Sequence, residues 1–114
     1  MSDDRLDAML EDIRAFVRER EWEPYHDPKN LAMAVASEAG ELLAELRWVE
    51  GSEADAHCQR EPERSQVADE MADVAISLFM LADRIGLDLP SRVHDKLSRL
   101  RLKYPAELER QKSR

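Results

Sequence analysis

The stretch from Pro28 to Trp48, PKNLAMAVASEAGELLAELRW, is apolar at nearly every position that is not acidic. A helix of that pattern cannot rest on a surface by one stripe; it has to be covered on most sides. A second stretch of the same kind, VADEMADVAISLFMLADRIG, occupies 67–86. The pair constrains the fold more than anything else in the chain, because both helices should be central in it. Around them, Leu6, Met9, Leu10, Ile13, Phe16 and Val17 recur at helical period in 3–20, and Val93, Leu97, Leu100 and Tyr104 do so in about 90–103. Four helices are therefore expected, at 3–20, 28–48, 62–85 and 90–103, arranged as an all-α four-helix bundle. Phe79, Met80 and Leu81 are expected in its core.

Punctuation supports these boundaries. Ser2 or Asp3 can cap the first helix, and Asp27 followed by Pro28 reads as a cap with proline at the first helical position. Pro62 opens the third helix, Gly86 closes it, and Pro90 starts the fourth. Residues 49–61 lack apolar period and read as a mobile loop; the tail after Pro105, 106–114, reads as frayed.

One domain, 1–114, accounts for the chain. A domain this short buries a modest share of its surface, so association with further copies would complete the burial. With 25 acidic and 17 basic residues the formal charge is -8, which disfavours a nucleic-acid polymer as partner. Cys58 is the only cysteine, so no disulfide forms within the chain. The longest apolar runs, Leu31–Ala36 and Leu78–Ala82, are far too short for a membrane span, and MSDDRLDAML is no signal peptide. A soluble, cytoplasmic protein is expected.

Within this greasy frame the carboxylates are out of place. Glu38 and Glu41 are three apart in the second helix and project from one face, with Glu45 continuing the stripe. Glu70 and Asp73 repeat the spacing in the third. Such acids either form a solvated or salt-bridged stripe or, if the two helices bring them face to face, converge. Two like charges about 5 Å apart repel by roughly 3 kcal/mol at an effective dielectric near 20, so a converging quartet calls for a cation. Oxygen-only ligation suits Mg²⁺ or Mn²⁺ and argues against zinc. A di-iron bundle would need Glu-x-x-His pairs, and the one such spacing, Glu23 to His26, is broken by Pro24. Gly40, between the two glutamates, costs about 1 kcal/mol mid-helix relative to alanine; close approach of a helix or ligand would account for it, as would simple tolerance. Trp48, two turns beyond Glu41, is either a core residue or a wall for a stacked base. Trp22 carries the same two readings. His57 and Cys58 have no partner spacing and read as surface residues.

The order E-x-x-E, 28 intervening residues, E-x-x-D, together with Trp22, His26-Asp27-Pro28-Lys29-Asn30-Leu31, Trp48, Gly86-Leu87-Asp88-Leu89-Pro90 and Lys103-Tyr104-Pro105, resembles the MazG-like nucleoside triphosphate pyrophosphohydrolases. Within these it is most similar to the small dCTP pyrophosphatase group. The resemblance implies an all-α protomer assembled as a homo-oligomer, a tetramer or a dimer, with sites formed between subunits. It implies Mg²⁺-dependent hydrolysis of dCTP or a modified dCTP to the monophosphate and pyrophosphate, with Mn²⁺ as a substitute ion. Glu38, Glu41, Glu70 and Asp73 carry over as metal ligands and catalytic residues, Glu41 or Glu38 orienting or deprotonating water. Trp22, His26, Asn30 and Trp48 carry over as nucleotide contacts and Lys96 as a phosphate contact. Alternatives are another nucleotide (dUTP, an oxidised triphosphate, phosphoribosyl-ATP) or a non-catalytic helical interaction module. Two positions depart from the family pattern: Ser77 stands where relatives place an aromatic, and Leu100 where they often have Asn. Both bear on base recognition and neither on the quartet.

Overall fold

The computed structural model describes residues 3–113, with the side chain of Asp3 left out. Ser2 and the Asp3 side chain, the expected first caps, lie outside what is described. Six helices follow one another: α1 (Asp3–Glu19), α2 (Pro28–Leu46), α3 (Gly51–His57), α4 (Glu63–Arg84), α5 (Leu89–Lys103) and α6 (Ala106–Lys112). A single 3-10 turn, Glu23–Tyr25, joins α1 to α2, and no strand occurs among the described residues. None of these helices is long and apolar enough to cross a membrane.

Local chemistry explains the ends. The Asp27 carboxylate accepts a hydrogen bond from the Asn30 backbone N–H at 2.8 Å, and Pro28 opens α2. Gly86, at φ +70°, terminates α4: its N–H donates to the Asp83 carbonyl and that of Leu87 to the Ala82 carbonyl, a Schellman ending. α1 ends in the same geometry with Glu21 at φ 53° in the glycine position; the Glu21 N–H donates to Arg18 O and the Trp22 N–H to Val17 O.

Two segments differ from expectation. Residues 51–57, expected in a loop, form α3, and 106–112, expected to fray, form α6. Both are too short to show an apolar period, yet each has charges that suit its dipole: Glu53 first and His57 last in α3, Glu107 and Glu109 first and Arg110 and Lys112 last in α6. His57 and Cys58 are half-buried rather than exposed. At the other boundary α2 stops at Leu46, and Trp48 lies in the turn beyond it.

The four-helix bundle is also not complete within one chain. α2 and α4 form the one extensive helix pair, α1 lies against α4, and α5 and α6 share no comparable face with them. Leu31 at the start of α2 lines the same cavity as Phe79, Met80 and Asp83 near the end of α4, so the pair is antiparallel. Arg14 ties α1 to α4 by donating to Asp83 at 2.7 Å, and Arg84 ties α4 to the 3-10 turn through the Glu23 carbonyl at 2.8 Å. The radius of gyration is 17.5 Å, against about 13 Å for a compact domain of this length. Among the described residues only Leu31, Val67, Ser77 and Ala82 are buried. Phe79, Met80 and Leu81, expected in the core, are half-buried, because α1 covers α4 from one side alone.

Candidate metal centre

Helical register places the acids. At 100° per residue, Glu38, Glu41 and Glu45 fall within an arc of about 60° on α2, and Glu70 and Asp73 sit one turn apart on α4. Carboxylate oxygens of Glu38, Glu70 and Asp73 lie within 4.8 Å of one another. Glu41 stands outside this tight group, but its charge reaches Glu70. Partial burial pushes the Glu70 carboxyl above the ordinary carboxylate range, and Asp73, Glu41, Glu38 and Glu45 add to the shift in that order. Glu38 and Glu70 are half-buried while Glu41 and Asp73 are exposed, so the repulsion is milder than a dry interface would give.

The donor set fits a hard dication. Opposed oxygens on one Mg²⁺ lie about 4.2 Å apart, twice a ligand distance of about 2.1 Å. The three carboxylates, all within 4.8 Å of one another, are therefore on the scale of one such coordination sphere. Among the described residues no nitrogen or sulfur donor joins the group, which disfavours zinc.

Trp22, His26 and Asn30 gather at the entry to α2. The Trp22 and His26 ring centroids are 6.0 Å apart, and the Asn30 side-chain amide donates to the Tyr25 carbonyl at 3.1 Å, bracing the turn. Phe16 completes this group, edge-on to Trp22 at 5.5 Å, with the Arg20 guanidinium 3.8 Å above its ring. The contact of Phe16 with Trp22 was not apparent from sequence, because Phe16 falls on the apolar stripe of α1 and reads as core. His26 also lines a cavity of about 210 Å³ between α1 and α4, with Ile13, Leu31 and Phe79.

Trp48 and Lys96 are not brought to either group. Trp48 is 84% exposed, with the Arg47 guanidinium 5.5 Å from its ring centroid; the core reading does not hold in the single chain. Lys96 lines a shallow cleft of α5's own side chains, among them Val93 and Leu100.

A sequence model of the MazG-like family matches residues 33–114. The chain belongs to the MazG-like family. MazG-like membership covers α4 and α5 entirely and most of α2, including all four acids. Human dCTP pyrophosphatase 1 is 40% identical over 109 residues, which make up 92% of this chain and 64% of that protein. The rat dCTP pyrophosphatase 1 is 39% identical over 105 residues, 89% of this chain and 62% of the relative. The chain thus spans less than two thirds of the length of these relatives. A pyrophosphatase from Archaeoglobus fulgidus superposes with a TM-score of 0.82 at 32% identity, covering 89% of this chain and 93% of the other.

Proposed function

We propose that this MazG-like chain hydrolyses a nucleoside triphosphate, dCTP or a modified dCTP, to the monophosphate and pyrophosphate, using Mg²⁺ held by Glu38, Glu41, Glu70 and Asp73 in a homo-oligomer. The observation that carries the reading is the meeting of Glu38, Glu70 and Asp73 oxygens across two facing helices within 4.8 Å. The similarity to the human and rat dCTP pyrophosphatase 1 supports the choice of nucleotide and base.

The chain's own residues divide the work. Glu38, Glu70 and Asp73 hold the cation, with Glu41 one turn along α2 completing the set. When bound, the dication supplies positive charge against the triphosphate oxygens and the charge that develops at phosphorus. Glu38 or Glu41 orients the attacking water and accepts its proton. Asn30 lies eight residues before Glu38, about 12 Å along α2, so the Trp22–His26–Asn30 group is placed to receive a sugar and base whose phosphates reach the acids. Trp22 and Phe16 offer an aromatic edge for the base, and Trp48 and Lys96 complete the pocket from a second subunit. Positioning and charge stabilisation dominate, as is general for phosphoryl chemistry.

The test is a panel of dCTP, modified dCTP, dUTP, an oxidised triphosphate and phosphoribosyl-ATP, read as released pyrophosphate with and without Mg²⁺. Preferred, Mg²⁺-dependent turnover of dCTP or its modified forms is expected. Preference for another nucleotide would reassign the substrate, and no turnover of any would sink the catalytic reading.

A further inference from the structure

The end of α1 carries a cation with two idle donors. Arg20 lies in the turn just past Glu19, with 43% of its side chain exposed. Its guanidinium covers the Phe16 ring at 3.8 Å, and Phe16 meets Trp22 at 5.5 Å, so Arg20 stands at the margin of the aromatic group that opens onto α2. The arm is fixed from one side. Nη1 donates to the Phe16 carbonyl at 3.0 Å and has Glu19 Oε1 at 3.5 Å. Nε and Nη2 have no partner among the described residues. Their N–H groups lie side by side in one plane, a fork that fits two adjacent acceptors. Because the ring contact and Nη1 already hold the arm, it loses little further freedom on meeting a ligand.

Position and charge say what those acceptors belong to. The aromatic group stands about 12 Å along α2 from the acids that would hold the metal and the phosphates. Glu19, Glu21 and Glu23 lie within three residues of Arg20, so the local charge is negative. A phosphate would be repelled there, and a neutral base would not. Among the pyrimidines only cytosine sets two acceptors, O2 and N3, next to each other. Uracil and thymine carry N3–H between two carbonyls, which puts a donor against a donor. A substituent at C5, as in a modified dCTP, points away from the O2–N3 edge and leaves it intact.

We propose that Arg20 reads the base: Nε and Nη2 donate to O2 and N3 of cytosine while the ring lies against Trp22. The proposal rests on the nucleotide hydrolysis set out above and adds to it the group that separates dCTP from dUTP. With uracil one arm of the fork meets N3–H and stays unpaired, the case in which hydrogen bonding discriminates most. Guanine offers an equivalent acceptor pair at O6 and N7, so Arg20 separates the pyrimidines from one another and not cytosine from guanine.

The test is kcat and KM for dCTP and dUTP with Mg²⁺, using the full chain as wild type, Arg20→Ala and Arg20→Lys, each checked for helicity by circular dichroism. Arg20→Lys keeps a cation beside Phe16 and removes the fork; should Arg20→Ala not fold, Arg20→Lys decides alone. The wild type is expected to favour dCTP in kcat/KM. Both variants are expected to lose about 10- to 100-fold of that preference, through a raised KM for dCTP. A wild type that does not distinguish the two nucleotides, an unchanged ratio in the variants, or full preference kept by Arg20→Lys would each overturn the proposal. So would an equal loss for both nucleotides, which would make Arg20 only a brace for Phe16. Those results leave dCTP turnover standing, whereas turnover of neither nucleotide by the wild type would overturn the substrate reading and this one with it.

Discussion

Glu21 is the residue whose replacement tests the backbone argument most directly. It occupies the left-handed position of the α1 ending at φ 53°, where α4 has Gly86 at φ +70°. The hydrogen bonds are the same in kind at both ends, at 3.1 and 3.2 Å in α1 and 3.1 and 2.8 Å in α4. A side chain in that region costs about 1 kcal/mol relative to glycine, partly offset by the entropy glycine adds to the unfolded chain. Glu21→Gly is therefore expected to stabilise by about 0.5 kcal/mol, a rise in Tm of roughly 2–4 °C for a domain of this size. Gly86→Ala is the reciprocal control. Open space surrounds a Cβ there, so its loss, again about 1 kcal/mol, is conformational alone. The measurement is the urea midpoint at one fixed protein concentration, since association raises apparent stability by mass action. A destabilised Glu21→Gly beside a destabilised Gly86→Ala would refute the reasoning, because it would mean that the Glu21 side chain contributes more than its backbone conformation costs.

Three further outcomes are expected. Glu70→Gln should lose turnover by at least about 10³-fold and abolish thermal stabilisation by millimolar Mg²⁺ while circular dichroism stays helical; retained Mg²⁺ stabilisation would remove Glu70 from the ligand set. In EDTA the raised Glu70 group holds its proton longer when folded than when unfolded. Its contribution is therefore fully present below the unfolded value and lost as pH rises through the folded one. The Tm of Glu70→Gln minus that of the wild type should grow more positive from pH 4.5 to 7, and a difference independent of pH would contradict this. Asp27→Ala should cost about 1 kcal/mol through the lost cap and raise KM more than it lowers kcat, because the Asn30 bond that braces the Trp22–His26 turn loosens; unchanged KM would separate that turn from the substrate.

The sequence by itself determined what is local. Four long helices, the Asp27–Pro28 start of α2 and the Gly86 end of α4 were legible because apolar period, caps and left-handed stops act within a few residues. The three-residue spacing that puts Glu38 with Glu41, and Glu70 with Asp73, is likewise a property of single helices. α3 and α6 were not legible, since seven residues carry too few turns to show a period. Only the tertiary structure decided which acids meet. The register of α2 against α4 is a non-local quantity set by side-chain packing, and it brings Glu38 to Glu70 and Asp73 while leaving Glu41 a turn away. It also placed Glu38 half-buried on the same side of α2 as Leu31 and Val35 while leaving Met33 and Leu43 exposed, a choice that no helical wheel contains.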